Sequence, residues 1–516
     1  MSELGFWRIA GNDPSHLALV EPDGREISAG ELLGEANRLV HGLRRLGLER
    51  GDVVATMLPN GVPIIELYLA VTQAGWYLVP INSHLTAPEI AYIVQDSGAK
   101  VFIGAERFAD ACRGAVEEIK FPERACFAVG KIPGFRSYSD IKNGQPATLP
   151  DNRIAGSVMN YTSGTTGRPK GVRRKLMEYD PETVGSLYAM FLSMFGITPG
   201  GDGVHLTGSP LYHTAVLMFT GSSLHFGHTV VLMDKWTPEG ELEKIQRYRV
   251  TSSHMVPTQF HRLLALPEEV KARYDVSSTR NMIHAAAPCP VDVKRRMLDW
   301  WGPVIYEYYA ASEGGGTLVT PEEWLRYPGT VGRAWAGSEI RILDDDGNQK
   351  GVGEVGTVYM ALGVQDFEYH GDKEKTESSR REGFFTVGDV GYLNEEGYLF
   401  LCDRKIDMII SGGANIYPSE IEAVLLTHPK VADAAVFGIP DEDWGEQVKA
   451  AIEPAPGVGA GAALEEEIIA FCKERIAKFK CPRSIDFVTE MPRDPNGKLY
   501  KRKLRDPYWK DQSRAI

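Results

Sequence analysis

The chain has 516 residues, too many for one compact hydrophobic core, so its length predicts two or more domains. Hydrophobic residues make up 43% and charged residues 24%, which is ordinary for a soluble globular protein. The 56 Lys and Arg against 69 Asp and Glu give a net charge of −13, which argues against nucleic acid as the main partner. No apolar run reaches membrane-spanning length and the N-terminus shows no signal-peptide pattern, so we expect a cytoplasmic protein without an integral membrane segment.

The first part of the chain alternates between helical and strand patterns. Apolar residues at helical spacing predict helices over 29–48 and 64–75. Short apolar runs predict strands at 53–57, 79–82, 100–103 and 125–129. Strand and helix alternation of this kind predicts parallel sheets.

The chain changes character twice further on. Residues 332–398 are rich in Gly, Asp and short β-type runs, which predicts antiparallel hairpins and a small barrel. After Arg404 a new α/β pattern begins, with helices expected at 418–427 and 465–478 and a strand at 431–437. We therefore predict two domains, 1–403 and 404–516.

The six cysteines form no C-x-x-C pair and no histidine cluster accompanies them. This favours reduced, structural thiols over zinc ligands or disulfides.

One loop, residues 161–172 (YTSGTTGRPKGV), carries three glycines, four Ser or Thr hydroxyls and Lys170. Glycines let backbone N–H groups approach a ligand closely, hydroxyls donate hydrogen bonds, and the lysine adds a positive charge. This composition predicts a site for a polyphosphate. The usual nucleotide-binding P-loop places its lysine directly after a glycine, whereas Arg168 and Pro169 separate Gly167 from Lys170 here, which disfavours a P-loop ATPase.

Four more motifs follow the loop in a fixed order: 306–313 (YEYYAASE), 384–389 (FFTVGD), 403–418 (DRKIDMIISGGANIYP) and 492–499 (PRDPNGKL). Together with the loop they closely resemble the adenylate-forming enzymes, which comprise acyl-CoA synthetases, adenylation domains of peptide synthetases and luciferases. The resemblance runs from about residue 30 to the C-terminus. It implies an α/β fold, with a large N-terminal domain of doubly wound sheets and a small β-barrel-like subdomain, followed by a small, mobile C-terminal α+β domain.

The resemblance also implies how ATP is bound. Tyr309 would pack on adenine, Ser312 would meet the α-phosphate, and Asp389 would accept hydrogen bonds from the ribose hydroxyls. The full set implied for ATP and AMP is Thr162, Ser163, Gly164, Thr165, Thr166, Gly167, Lys170, Tyr309, Ser312, Asp389, Arg404 and Lys498. Three features depart from the family pattern: Ala310 stands where glycine is usual, Val387 is inserted between Thr386 and Gly388, and Ile406 stands at the usual hinge pivot.

The catalytic residues implied by the resemblance are Lys498, Thr165, Lys170 and Glu313. Lys498 would swing into the site and bridge the carboxylate and the α-phosphate. Glu313 and Thr165 would hold Mg²⁺, a hard cation that prefers oxygen ligands.

Other segments are expected to bind coenzyme A and the acid. By resemblance, the loop of Ser411, Gly412 and Gly413 approaches the thiol acceptor. Ala285, Ala286 and Ala287 would line the acid pocket. His213 would either orient the substrate carboxylate or satisfy a hydrogen bond in the core. The run after His213 is apolar and lacks the aspartate of amino-acid-activating relatives, which favours an uncharged acyl group.

The expected function is that of an AMP-forming acyl-CoA synthetase for a fatty, aryl or steroid-type carboxylic acid, with ATP, Mg²⁺ and CoA as cofactors or co-substrates. An acyl-AMP ligase that passes its acyl group to a carrier protein is the alternative on the same fold. A non-catalytic adenylate-binding regulator is the alternative from another class. The sequence leaves the oligomeric state open between a monomer and a homodimer.

Overall fold

The computed structural model describes residues 4–162, 169–311, 314–362, 367–370, 376–377, 379–493 and 499–510. Its helices are α1 Phe6–Asn12, α2 Ala29–Arg45, α3 Val62–Gln73, α4 Ala87–Asp96, α5 Ala109–Glu118, α6 Ser139–Lys142, α7 Pro181–Ala189, α8 Thr214–His225, α9 Pro238–Tyr248, α10 Pro257–Leu264, α11 Glu268–Lys271, α12 Val291–Trp301, α13 Pro321–Arg326, α14 Pro418–Leu425, α15 Ala462–Lys473 and α16 Lys501–Arg505.

The strands before residue 310 are β1 Leu17–Val20, β2 Glu26–Ser28, β3 Val53–Met57, β4 Tyr77–Pro80, β5 Ala99–Ala105, β6 Cys126–Val129, β7 Arg136–Ser137, β8 Ser157–Val158, β9 Asn160–Thr162, β10 Lys170–Arg174, β11 Val204–Thr207, β12 Thr229–Leu232, β13 Ser252–Met255, β14 Asn281–His284 and β15 Ile305–Ala310. The later strands are β16 Gly316–Val319, β17 Arg333–Ala334, β18 Ser338–Leu343, β19 Gly356–Leu362, β20 Phe367–Tyr369, β21 Arg380–Arg381, β22 Phe384–Phe385, β23 Asp389–Leu393, β24 Leu399–Arg404, β25 Ile409–Ser411, β26 Ala414–Ile416, β27 Val431–Asp441, β28 Gly445–Pro454 and β29 Ser484–Phe487.

Helix α2 shows how local sequence sets an element in this protein. It starts at Ala29 because the Ser28 side chain caps it, accepting a hydrogen bond from the backbone N–H of Glu31 at 3.2 Å. Its apolar residues recur at helical spacing and are buried in a core that they share with α3 and β1. It ends at Arg45, slightly before the predicted residue 48, and Gly47 follows with a φ of 91°.

The first sheet is entirely parallel, in the order β7-β6-β5-β3-β4-β8. Every residue of its central strand β3 is buried. Strands buried on both faces by helical crossovers read as continuous apolar runs, which is why the sequence predicted them well.

The second sheet has nine strands, in the order β17-β16-β15-β14-β13-β11-β12-β1-β2, and its middle is parallel. The chain leaves these strands at their carboxyl ends, where open α/β sheets bind ligands. His213 follows β11, Ala285 follows β14, and Tyr309 is the penultimate residue of β15.

Antiparallel sheets complete the part of the chain before residue 404. Strands β9, β10 and β20 form a three-stranded sheet, and β18, β19 and β21–β24 form a six-stranded one. The hairpins predicted within 332–398 are therefore confirmed.

A separate sheet, β26-β25-β28-β27 with β29 paired to β28, forms the C-terminal part of the chain. It buries its own core with α14 and α15. The helix predicted at 465–478 is too long at its C-terminal end: α15 ends at Lys473, and residues 478–480 form a short 3₁₀ turn. The predicted α/β class, with parallel sheets, a large N-terminal domain and a small C-terminal domain, is confirmed. Among the described helices, none is both long and apolar enough to cross a lipid bilayer.

Candidate active site

The two ends of the hydroxyl-rich segment lie in a β-hairpin. Strands β9 and β10 pair antiparallel, and Thr162 lies opposite Lys170 at the end of the ladder. Thr162 and Lys170, both predicted to bind phosphate, are therefore paired with each other on the two sides of residues 163–168. The remaining predicted residues of the loop lie outside the described residues.

Two tyrosine hydroxyls join this hairpin to neighbouring elements of the N-terminal domain. The Tyr161 hydroxyl donates to Oδ2 of Asp96, at the end of α4, at 2.6 Å. Burial and the Asp96 carboxylate raise the pKa of Tyr161 well above its ordinary range, so the phenol stays protonated and donates. Tyr77 of β4 donates to the carbonyl of Arg174 at 2.7 Å. These two bonds attach the hairpin to β4 of the first sheet and to α4.

Three residues predicted to contact the nucleoside meet at one point. The Tyr309 hydroxyl donates to Oδ2 of Asp389 at 2.6 Å. Nε of Arg404 lies 3.4 Å from Oδ1 of the same carboxylate. Asp389 is only 9% exposed, whereas the Arg404 side chain is 41% exposed. The carboxylate is thus oriented by both partners.

The antiparallel pairing of β23 and β24 explains this meeting, because it places Asp389 directly opposite Arg404. The turn before β23 accommodates Val387, the residue inserted relative to the family pattern. The N–H of Gly388 donates to the Thr386 hydroxyl at 3.1 Å, and Gly388 has a φ of 86° that suits glycine.

A buried ionic cluster, which sequence reasoning missed, lies beneath the nucleoside residues. Nζ of Lys294, on α12, is 2.7 Å from Oε2 of Glu307, and Nε2 of His284 is 3.3 Å from the same oxygen. Burial would raise the pKa of Glu307, but Lys294 and then His284 outweigh it and hold the pKa at about 2. The cluster ties α12 to the ends of β14 and β15. The sequence feature that could have indicated this cluster is Glu307, a charged residue within an otherwise aromatic strand.

An aromatic wall surrounds Ala285, the first residue of the predicted acid pocket. Ala285 packs in one cluster with Phe219 of α8 and Tyr308 of β15. The half-buried Phe191 ring lies 5.4 Å from Phe219 and 6.0 Å from Trp335, both in edge-to-face geometry. This wall is apolar, which suits the uncharged acyl group that the sequence predicts. Phe191 and Trp335 were not predicted, because they come from distant segments without a shared motif.

A neutral polar pair lies within the aromatic wall. Nε2 of His254 is 3.1 Å from the Tyr308 hydroxyl, and His254 is 5% exposed. Burial lowers the pKa of His254 to about 3, so the imidazole is neutral at physiological pH.

The other residues predicted to bind the acid are His213 and the alanines that follow Ala285. His213 is half-buried immediately before α8, with its ring 4.4 Å from that of Tyr212. Ala286 has a φ of 74°, unusual for a residue with a Cβ, and is exposed, whereas Ala287 is half-buried.

The residues predicted to approach CoA form a tight turn in the C-terminal sheet. Ser411 pairs with Ala414, and Gly412 and Gly413 between them have φ values of 58° and 79°. Two consecutive residues in this conformation form the turn that suits a two-residue hairpin. The N–H of Gly412 donates to the Trp444 carbonyl at 2.8 Å, so this turn is attached to the C-terminal sheet and not to the Tyr309–Asp389–Arg404 group.

Several predicted residues lie outside the described residues: Ser163, Gly164, Thr165, Thr166, Gly167, Ser312, Glu313 and Lys498. Both residues expected to hold Mg²⁺ are among them. Within the described ranges, no group of three or more His, Cys, Asp or Glu side chains could hold a metal ion.

Comparison with known proteins identifies the family. The AMP-binding enzyme family matches residues 6–363, and the AMP-binding enzyme C-terminal domain matches residues 420–498. The chain belongs to the AMP-binding enzyme family. The predicted membership of the adenylate-forming superfamily, and with it the assignment as an acid–thiol ligase, is confirmed.

Similar proteins align along nearly the whole chain. The chain is 33% identical to the long-chain-fatty-acid–CoA ligase FadD13 of Mycobacterium tuberculosis, covering 96% of each chain. It is 31% identical to the fatty acid–[acyl-carrier-protein] ligase ScoC of Streptomyces coeruleorubidus, covering 96% of this chain and 94% of ScoC. It is 32% identical to a feruloyl-CoA synthase of Amycolatopsis, covering 97% and 98%.

A solved structure shares the arrangement. ATP-bound MatB from Rhodopseudomonas palustris superposes with a TM-score of 0.82 at 29% identity, covering 98% of both chains. An o-succinylbenzoate CoA synthetase from Bacillus subtilis, solved with its acyl-adenylate, gives 0.81 at 27% identity, again covering 98% of both.

Proposed function

We propose that this enzyme is an AMP-forming acyl-CoA synthetase that activates an apolar carboxylic acid. The observation that carries the proposal is the meeting of Tyr309, Asp389 and Arg404. Tyr309 and Arg404, from two separate motifs, converge on the carboxylate of Asp389 from a third, and this carboxylate can accept hydrogen bonds from two neighbouring ribose hydroxyls. A ribose held there would have its phosphates free to extend toward the hairpin loop.

The proposed chemistry has two half-reactions. A carboxylate oxygen of the substrate attacks the α-phosphorus of ATP, the bond to the β-phosphate bridging oxygen breaks, and pyrophosphate leaves. The CoA sulfur then attacks the acyl carbon, its proton passes to solvent, and AMP leaves. The protein contributes mainly positioning and charge stabilisation.

We assign the roles as follows. Lys170, at the base of the hairpin, and Lys498 would balance negative charge that develops on the phosphates and the attacking carboxylate. Thr165 and Glu313 would hold Mg²⁺, which would neutralise phosphate charge when bound. The turn of Ser411, Gly412 and Gly413 would face the acyl-adenylate in the second half-reaction, after rotation of the C-terminal domain about a hinge near Arg404.

An apolar acid fits the walls of the pocket. Ala285 packs with Phe219 and Tyr308 in a cluster of aromatic and aliphatic side chains, which would form the wall of the acid site. FadD13 and ScoC are named for fatty acids and the Amycolatopsis protein for ferulate, so both chains and rings are known among similar proteins.

A substrate panel tests the proposal. Purified enzyme with ATP and Mg²⁺ should release pyrophosphate with at least one acid from a set of fatty, aryl and steroid-type acids, and AMP should accumulate when CoA is added. Lys498→Ala should lose adenylation by on the order of 10²–10³ yet still form thioester from a supplied acyl-adenylate. Absence of pyrophosphate with every acid would instead favour a non-catalytic adenylate-binding protein.

The acceptor is the second point to settle by experiment. We expect free CoA to be acylated, and a phosphopantetheine-loaded carrier protein serves as the competing acceptor because ScoC is 31% identical and named for that acceptor. Transfer to the carrier protein with none to CoA would replace the CoA synthetase assignment with that of an acyl-AMP ligase.

A further inference from the structure

The segment that carries Lys498 has a base that the structure describes in full, although residues 494–498 themselves lie outside the described residues. Arg493 and Leu499 form an antiparallel β-bridge, and the N–H of Tyr500 donates to the Pro492 carbonyl at 2.8 Å. The described residues on the two sides of 494–498 are therefore paired with each other. We name this base, residues 491–493 and 499–501, the lysine-loop base.

An ion pair fixes the incoming side of the lysine-loop base. Nε and Nη2 of Arg493 donate to the two carboxylate oxygens of Asp433, on β27, at 2.6 and 2.8 Å. Both side chains are largely buried, with 19% and 15% exposed. A two-point contact between a planar guanidinium and a carboxylate fixes orientation as well as distance.

A second ion pair fixes the outgoing side. Nζ of Lys501 lies 2.9 Å from Oε1 of Glu422, on α14, with 12% and 16% of the side chains exposed. The same oxygen accepts the backbone N–H of Val436 at 2.7 Å, so Glu422 is itself held by β27. Burial lowers the pKa of Lys501, but Glu422 and then Asp403 and Asp407 outweigh it and raise the pKa, so Lys501 stays charged.

Apolar packing supports the same base. Met491 is buried against Ala435, Phe437 and Ala451 of the C-terminal sheet, and Leu499 packs on this cluster. The N–H of Met491 donates to Oε2 of Glu453 at 2.8 Å. Hydrophobic contacts hold the base against the sheet but allow it to slide, whereas the two ion pairs fix its position along β27 and α14.

The base also faces the large domain. Burial lowers the pKa of His261, on α10, and Asp433 is near enough to oppose that shift. The carboxylate that holds Arg493 therefore lies near His261 of the large domain.

We propose that Asp433 and Glu422 are positioning residues for adenylation, which hold the lysine-loop base through Arg493 and Lys501 and so determine where Lys498 reaches. The proposal rests on the proposed role of Lys498. A displacement of about 1 Å in a reacting group is enough to cost on the order of 10²-fold in rate. The second half-reaction does not use Lys498, so the two pairs should matter much less for it.

Half-reaction kinetics test the proposal. Asp433→Asn and Glu422→Gln should lower the rate of acyl-adenylate formation by about 10–10²-fold, while thioester formation from a supplied acyl-adenylate changes less than about threefold. The matched control is Glu467→Gln, which removes a carboxylate from the exposed Lys430–Glu467 pair (2.7 Å) of the same domain. The control should leave both rates at the wild-type level.

Charge-preserving variants keep the test decisive if an amide variant folds poorly. Lys501→Arg retains the charge facing Glu422 and should retain most adenylation, whereas Arg493→Lys loses the two-point contact and should lose more. Equal loss of both half-reactions, or no loss in either, would overturn the proposal, since the pairs would then serve stability alone or not at all. If wild-type enzyme forms no acyl-adenylate with any acid, the proposed function itself fails. If Lys498→Ala loses adenylation but the Asp433 and Glu422 variants do not, only the positioning proposal fails.

Discussion

Replacement of Glu307 by Gln is expected to destabilise the protein by about 3 kcal/mol. Lys294, whose side chain is 0% exposed, would keep its ammonium without its counter-charge. Removing one partner of a buried ion pair typically costs ~3–5 kcal/mol. The pKa gives a second route: a fall from the ordinary 4.5 to about 2 corresponds to ~3 kcal/mol. Burial lowers the pKa of Lys294, so part of the attraction offsets the cost of burying that charge, and the lower end of the range is expected.

The pH dependence follows from the direction of the shift. Because the pKa of Glu307 is lower in the folded state, its contribution to stability is fully present above about pH 4.5 and is lost as the pH falls toward about 2. The wild-type protein should lose this contribution in acid, whereas Glu307→Gln should show a shallower loss over the same range.

Urea unfolding at neutral pH, followed by tryptophan fluorescence, measures the effect. Glu307→Gln, Glu307→Leu and Lys294→Met should each unfold at lower urea, whereas the double variant Lys294→Met/Glu307→Leu should recover most of the loss of its two single variants, since an apolar pair of similar volume is often neutral. Asp202→Asn is the control, because its pair with Arg280 is exposed and screened by solvent, so its loss should leave the urea midpoint nearly unchanged. If the double variant lost the sum of the two single losses, the buried pair would not be coupled and the reasoning would be refuted.

Three further changes have defined outcomes. Tyr309→Phe removes the 2.6 Å hydrogen bond to Asp389. Since a hydrogen bond to a charged group is worth ~1.5–3 kcal/mol, the KM for ATP should rise about tenfold or more. An unchanged KM in initial-rate assays would contradict the assignment of these residues to the nucleoside. Gly412→Ala places a Cβ 2.4 Å from the Trp444 ring, at a backbone φ of +58° that disfavours a side chain. The rate of thioester formation from a supplied acyl-adenylate should therefore fall by about fivefold or more, with adenylation unchanged. Loss of adenylation with normal thioester formation would exclude this turn from the CoA step. Burial raises the pKa of Glu241 to about 8, so the stability of the folded protein should fall as the pH rises from about 4.5 to about 8. The urea midpoint of Glu241→Gln should change less with pH across that range than the wild-type midpoint does. Identical slopes of midpoint against pH for the two proteins would refute a neutral Glu241.

Local patterns in the sequence predicted much of the α/β framework. The strand 53–57 and the start of α2 at Ala29 agree with the structure, because buried parallel strands and capped helices leave signals within a few residues. The end of α15 was overestimated, because the residues after Lys473 continue a favourable composition without a strong stop signal.

Contacts between distant segments could not be predicted in this way. Tyr309 and Asp389 were assigned to adenine and ribose separately, but their mutual hydrogen bond joins residues 80 positions apart in two different sheets. The Lys294–Glu307 pair depends on how α12 packs against β15, and no periodicity within either element encodes that packing. The contact between Phe191 and Phe219 likewise joins two segments that share no motif.

The three-stranded sheet around the hairpin has a consequence for biosynthesis. Strand β10 is paired on one side with β9, which is synthesised just before it, and on the other with β20, which is synthesised almost two hundred residues later. A nascent chain therefore holds an open β10 edge while almost two hundred further residues are synthesised, and such edges invite intermolecular pairing. We expect truncated chains that stop before residue 367 to aggregate through this edge, and chaperones that shield it to raise the yield of full-length enzyme.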